Sequence, residues 1–304
     1  MNIIALVGPT ASGKSDLALR LARDTGACLL SADSMQVYRG MDIGTAKPTL
    51  AEQAEVPHHL IDLVEPEESF SVADFQSAAR AVLADHGGRR IIVVGGSGLH
   101  VRALLDPLEF PPHDPAVRQL IDALPPEESR ERLRAADCHA DDVLDLANPR
   151  RVQRALEILE ITGLTPSQRA VTAEARAVAA YEPLVPFAGF GIDAAEALGS
   201  RVADRTDVMV EAGFVAEVRS LAGRLGATAR SATGYPEFGA YVAGESSLDE
   251  AVGKTREATV ALAKRQRTFF RRDPRIVWLD WHDDPVVRYD SFRAQLDKLG
   301  LWNS

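Results

Sequence analysis

The 304-residue sequence predicts an α/β protein, with a parallel sheet flanked by helices and interrupted by a helical insertion. Three observations predict it. Short continuous apolar runs, each ending at small or polar residues, read as strands buried on both faces. A segment with helical apolar spacing lies between the first two runs and makes a strand–helix–strand unit with them. From about residue 111 to residue 181 the pattern changes to segments rich in Glu, Arg, Leu and Ala that suit helices.

Taken in order, the first runs are residues 3–7, 28–32 and 90–94. Between the first two, Asp16-Leu17-Ala18-Leu19-Arg20-Leu21-Ala22 has the spacing of a helix that Gly26 can end. Later runs at 185–192 and 275–281 add two strands. That gives a sheet of about five, near the usual size, and favours a doubly wound core. The insertion opens at Pro111-Pro112-His113-Asp114-Pro115, so we expect a core at residues 1–112 and 182–304 and a helical insertion domain at 113–181. Within it, the Ala-rich stretch 172–180 fits a helix or a mobile loop.

Composition narrows the function. The chain is 46% hydrophobic and 26% charged, enough for a sizeable core and unlike disordered or collagen-like chains. The start of the chain carries no basic leader and only a short apolar run, so a cytoplasmic protein without a membrane partner is expected. Cys28 and Cys138 lack any Cys-x-x-Cys spacing, which disfavours disulfides or a zinc finger and predicts two reduced packing residues. The net charge of −10 argues against coating nucleic acid through overall electrostatics. Any RNA role needs local basic patches. Arg150, Arg151 and Arg154 form one, and Lys264, Arg265, Arg267, Arg271 and Arg272 another.

Gly8-Pro9-Thr10-Ala11-Ser12-Gly13-Lys14-Ser15 matches G-x-x-x-x-G-K-[ST] in full, directly after a strand and directly before a helix. Such a phosphate loop turns consecutive backbone N–H groups toward phosphate oxygens. The helix amino terminus adds favourable dipole, Lys14 a point charge, and the Ser15 hydroxyl a Mg²⁺ ligand. A P-loop core is therefore expected. Ligands of parallel sheets bind outside the carboxyl ends of the strands, which brings Asp33 and Gly95-Gly96-Ser97-Gly98 toward the same crevice. Asp33 reads equally as a group acting beside the diphosphate or as a turn-forming residue. An ATPase or GTPase would carry an acid after the third run, which ends instead in Gly95, or an Asn-Lys-x-Asp, which is absent. The loop then suits a diphosphate that is not part of ATP.

Residues 8–15, followed by Ser31-Ala32-Asp33-Ser34-Met35-Gln36-Val37-Tyr38 and on through Lys47-Pro48, closely resemble the tRNA dimethylallyltransferases of the IPP transferase family. The likeness continues at Pro57-His58-His59-Leu60-Ile61-Asp62, Gly95-Gly96-Ser97-Gly98-Leu99, Asn148-Pro149-Arg150-Arg151-Val152-Gln153-Arg154 and Lys264-Arg265-Gln266-Arg267-Thr268, and covers essentially the whole chain. It implies transfer of a dimethylallyl group from dimethylallyl diphosphate to N6 of the adenosine just 3′ of the tRNA anticodon. It further implies Asp33 as general base and Thr10 as hydrogen-bond donor to the bridging oxygen of the leaving group. Asp33, Ser34, Met35, Gln36 and Ser97 match positions that contact the flipped base or its neighbours. Arg150, Arg151, Val152, Gln153 and Arg154 match a tRNA-binding stretch, and Arg205 matches a recurrent arginine that reaches the diphosphate. Ser97 stands where Thr is more common, His100 where Tyr is often found, and Pro236 where a basic residue is usual.

The residues agree with that chemistry. Adenine N6 is a poor nucleophile and the allylic diphosphate ionises toward a cation, so a site must stabilise departing diphosphate and accept a proton. Asn148 and Pro149 also read as N-cap and first position of a helix running to Gly163. Cations at a helix amino terminus cost roughly 0.3–1 kcal/mol each, so an anion such as RNA phosphate, or simply solvent, is needed to account for Arg150 and Arg151. The basic tract 264–272 equally suits the last turns of a helix ending before Pro274. His58, His59 and His100 read as structural rather than metal-binding, and Cys138-His139 with Asp141 and Asp142 as helix surface or cap. A monomer is expected. Three other functions fit parts of the pattern: a small-molecule kinase, a prenyltransferase acting on free adenine nucleotide, and an RNA-binding module without catalysis.

Overall fold

The computed structural model describes residues 2–85 and 87–302. Six strands, β1 (Ile3–Val7), β2 (Cys28–Ser31), β3 (His58–His59), β4 (Ile91–Gly95), β5 (Ala188–Gly191) and β6 (Ile276–Trp278), form one sheet in the order β3-β2-β4-β1-β5-β6. Every neighbouring pair is parallel. All five residues of β1 are buried, which is why its sequence is a continuous apolar run rather than an alternating one. Its register sets Ile3 opposite Ile91 and Val7 opposite Gly95, so β1 and β4 end level with one another.

Chain contacts divide the protein into two compact units, Met1–Leu105 with Val185–Ser304, and Asp106–Leu184. In the first, the helix Lys14–Thr25 follows β1 and stops at Gly26, burying Leu17, Ala18, Leu19, Leu21 and Ala22. These side chains meet Ile4, Leu6, Ile92, Phe190 and, from the helix Pro285–Lys298, Tyr289, Phe292 and Leu296 in one cluster. Each fully buried Leu or Phe there contributes roughly 1.5–3 kcal/mol relative to exposure. The longest helix, Leu248–Phe270, opens with a capping box in which Ser247 and Glu250 satisfy each other's backbone N–H groups.

The sheet differs from the expected five strands by β3. Two residues long, His58–His59 has no apolar run to announce it, and is recruited as an edge by pairing with Leu29 and Leu30. His58 and His59, read from the sequence only as structural, are that edge strand. The runs 185–192 and 275–281 contribute only four and three residues to β5 and β6.

The second unit is helical and has its own core of Ile121, Leu133, Ala140, Leu146, Val152, Ala155 and Leu156. Its central helix, Pro149–Thr162, begins where the sequence places it: the Asn148 side chain accepts from the N–H groups of Arg150 and Arg151, and Gly163 ends it in the left-handed region. Thr172 caps the Ala-rich stretch, which is the helix Ala173–Ala179. Cys28 is buried as expected, whereas Cys138 is exposed, because the short helix after it buries Ala140 instead. Among the described residues no helix is long and apolar enough to cross a membrane.

Candidate active site

The turn between β1 and the helix Lys14–Thr25 is a loop open on one side. Gly13 sits at the helix N-cap with φ +86°, a conformation that only glycine adopts without strain, and offers no side-chain cap. Lys14 Nζ donates to the Pro9 carbonyl at 3.2 Å, folding the lysine back over the loop. Beside this loop lies a cavity of about 440 Å³, lined by Thr10, Lys14, Ser15, Asp33, Ser34, Met35, Gln36, Ser97 and Arg205 among others. Nine of the residues anticipated from the sequence thus meet in one chamber. Of the rest of the loop, Ala11 and Gly13 line an adjoining cavity of about 290 Å³. Lys14, Ser15, Gln36 and Arg205 line both chambers. Gly8, Pro9 and Ser12 face neither, and Ser12 is fully buried.

Asp33 follows β2, and both of its sequence readings hold geometrically. Its Oδ1 accepts the N–H groups of Met35 and Gln36, at 2.8 and 3.3 Å, while the residue lines the chamber. One oxygen builds the turn, and the other has no protein donor among the described residues. Gln36 is more committed than expected. It accepts from the Ser31 hydroxyl at 2.8 Å and donates to the carbonyls of Thr45 and Ala46, both at 3.2 Å. Its amide therefore fixes the wall formed by Thr45 and Ala46.

That wall has a second anchor which the sequence reading missed. The Glu217 carboxylate accepts from the N–H groups of Asp42, Ile43 and Gly44 at 2.7–3.0 Å, and from the Tyr235 hydroxyl at 2.7 Å. Burial and the facing carboxylate push the Tyr235 hydroxyl far above its ordinary pKa, so it stays a donor. No local pattern marks Glu217, because the three N–H groups it accepts from lie more than 170 residues away.

The basic tract divides by direction. Arg267 pairs with buried Asp193 at 2.5 Å, and Arg271 stacks over Trp278 at 3.9 Å, both structural. Arg265, Gln266 and Phe269 line the large chamber. Gly98 permits the approach of Phe269, since a Cβ there would sit 2.1 Å from its ring. Phe269 remains 38% exposed, an unusual position for a large aromatic that otherwise packs well.

Charge gives the chamber its character. Lys14 is lowered to about 8, first by burial and then by the Arg205 guanidinium, with Asp33 acting against both. Arg205 is itself lowered by burial, again opposed by Asp33. Burial and two neighbouring cations make the chamber a favourable place for an anion. Burial lowers the His100 imidazole, which stacks edge-on against Phe75 at 4.6 Å, so it is neutral at neutral pH.

Arg150, Arg151, Val152, Gln153 and Arg154 lie in the helical unit. Arg150 and Arg151 are exposed. Val152 is 1% exposed and packs into the core of its unit, so its side chain is unavailable to a nucleic acid. Arg154 is largely spoken for, donating to the Pro111 carbonyl and pairing with buried Glu157, both at 2.8 Å.

A family model described as IPP transferase matches residues 36–273. The chain belongs to the IPP transferase family. It is 46% identical over 292 residues to a tRNA dimethylallyltransferase of Pseudarthrobacter chlorophenolicus, covering 94% of this chain and 95% of that protein. It is equally 46% identical to a tRNA dimethylallyltransferase of Streptomyces coelicolor, covering 91% and 90%. Among solved structures it resembles the tRNA isopentenylpyrophosphate transferase of Bacillus halodurans with a TM-score of 0.70, 34% identity, and coverage of 98% and 96%. The IPP transferase α/β fold, with its parallel sheet, is the one described above.

Proposed function

We propose that the chain transfers the dimethylallyl group of dimethylallyl diphosphate to N6 of adenosine 37, next to the tRNA anticodon, releasing diphosphate. One observation carries this reading beyond family membership: Lys14, Arg205 and Asp33 share a chamber with a phosphate loop, two cations for a diphosphate and one carboxylate with an uncommitted oxygen for a proton. The C1–O bond of the donor breaks with its electrons leaving on diphosphate, which Lys14, Arg205 and the loop N–H groups stabilise. The N6 lone pair forms the C1–N6 bond, and the proton that N6 sheds passes to Asp33. The Thr10 hydroxyl donates to the bridging oxygen as it gains charge.

Mg²⁺ fits this site as an ion carried by the diphosphate. Among the described residues no cluster of three acidic, histidine or cysteine side chains offers a cage, and the loop supplies one hydroxyl, Ser15. When bound, the ion would neutralise charge on the leaving group.

The adenine must leave its stack to enter a chamber of this depth, which an unpaired anticodon loop permits at modest cost. Phe269 at the wall offers a ring for the extruded base to lie on. Arg150 and Arg151 of the helical unit carry exposed charge for the backbone of the anticodon stem-loop. We propose further that the protein acts as a monomer, and we assign the reaction to the cytoplasm, where unmodified tRNA is found. β4 ends in Gly95 rather than an acid, which counts against a kinase. The test is to supply dimethylallyl diphosphate and unmodified tRNA without ATP and to analyse nucleosides by mass spectrometry. A dimethylallylated adenosine is the expected product; its absence, with ATP consumed instead, would refute the reading.

A further inference from the structure

Each residue of the phosphate loop from Thr10 to Gly13 is met by a side chain far away in sequence. Thr10 N–H goes to Gln266. Arg201 Nε donates to the Ala11 carbonyl at 2.7 Å, and Trp281 Nε1 donates to the Ser12 carbonyl at 3.1 Å. Arg288, 5% exposed, fills the space behind Gly13 so closely that a Cβ there would lie 3.2 Å from its guanidinium carbon. Both guanidinium groups adjoin the Trp281 ring, at 5.5 Å for Arg201 and 5.6 Å for Arg288. Arg288 is held in turn by the His282 carbonyl at 2.9 Å. The phosphate-loop motif includes none of Arg201, Trp281 and Arg288.

We propose that Trp281, with Arg201 and Arg288 against it, is a positioning residue for the diphosphate: it grips the loop from behind so that loop N–H groups face the ligand. The reason lies in peptide geometry. In a trans peptide unit the carbonyl and the following N–H point in opposite directions. Holding the Ser12 carbonyl therefore directs the Gly13 N–H the other way, and Gly13 lines the smaller cavity; holding the Ala11 carbonyl fixes the peptide unit before it. Among the described residues no protein group accepts from the Gly13 N–H. Donors on the carbonyls also polarise those peptide units and strengthen what their N–H groups can offer. A glycine-containing loop left to itself would sample many arrangements, and fixing one in advance lowers the cost of binding. The indole thus acts through the loop without touching the ligand.

This inference rests on the reading of the loop as a diphosphate site, and one set of measurements separates the two. Trp281→Phe keeps the ring and removes the N–H. Arg201→Lys keeps the charge and removes the guanidinium. Binding of inorganic pyrophosphate with Mg²⁺, and of unmodified tRNA, is measured by calorimetry for each, alongside the thermal midpoint. The expected result is a pyrophosphate Kd raised about fivefold in Trp281→Phe, the worth of one neutral hydrogen bond, with tRNA Kd within about twofold of the parent. Arg201→Lys should move pyrophosphate in the same direction and decides alone if Trp281→Phe does not fold. Unchanged pyrophosphate affinity, or equal weakening of both ligands, would overturn the positioning role. A parent chain that ignores pyrophosphate would instead bring down the proposed function itself.

Discussion

Gln266 Oε1 accepts the N–H of Thr10 at 2.9 Å, joining positions 256 residues apart. The contact ties the phosphate loop to the helix Leu248–Phe270, whose Phe269 and Arg265 line the same chamber. Gln266→Leu leaves a half-buried donor without its acceptor, a cost of about 1–3 kcal/mol at the loop. The KM for dimethylallyl diphosphate should rise on the order of tenfold in initial-rate assays, and an unchanged KM would show that the tether is idle.

Lys14 supplies a pH signature. Its pKa of about 8 without ligand must rise when a diphosphate arrives, so binding takes up a proton. Below pH 8 the lysine is charged in both states and affinity is flat. Above it, the ligand-free lysine loses its proton and affinity falls, by up to about tenfold per pH unit. Pyrophosphate titrations at roughly pH 7 and pH 9 should differ accordingly, and Lys14→Met should bind weakly at both without the difference. Equal affinity of the parent at the two values would contradict the assigned role.

Much of this arrangement was legible beforehand because its signals are local. The loop motif, the apolar runs of β1, β2 and β4, and the Asn148-Pro149 start of a helix each depend on neighbours within a few residues. What stayed hidden depends on distant partners. β3 exists only because Leu29 and Leu30 leave an edge to pair with, Glu217 matters only because three N–H groups of residues 42–44 converge on it, and Gln266 looked like one more member of a basic helix end. Arg154 follows the same rule: its charge is plain in the sequence, while its pairing with the buried Glu157 shows only in the fold.

Arg150 and Arg151 offer a contrast with Arg154. Both are exposed, and Arg151 has only a loose partner in Asp145 at 3.6 Å. Replacing both by Ala should weaken tRNA binding about tenfold and flatten its dependence on salt by roughly one to two units of log–log slope, leaving pyrophosphate affinity alone. Filter binding across a salt series checks this, and an unaltered slope would remove these arginines from the RNA interface.

Phe269 should separate the two substrates. Stacking of a base on an aromatic ring is worth about 1–3 kcal/mol. Phe269→Ala should therefore lower kcat/KM for tRNA roughly 5- to 150-fold while sparing the KM for dimethylallyl diphosphate. Loss confined to the diphosphate substrate would mean that the ring serves only to pack Gly98.

Asp33 is where the account is most exposed. Asp33→Asn keeps an Oδ1 to accept the N–H groups of Met35 and Gln36, so the turn survives while the proton acceptor is lost. The decisive measurement is single-turnover transfer by this variant with saturating tRNA and dimethylallyl diphosphate. The account predicts parent-like binding of both substrates and a transfer rate reduced on the order of 10²–10⁴-fold; an undiminished rate would contradict it.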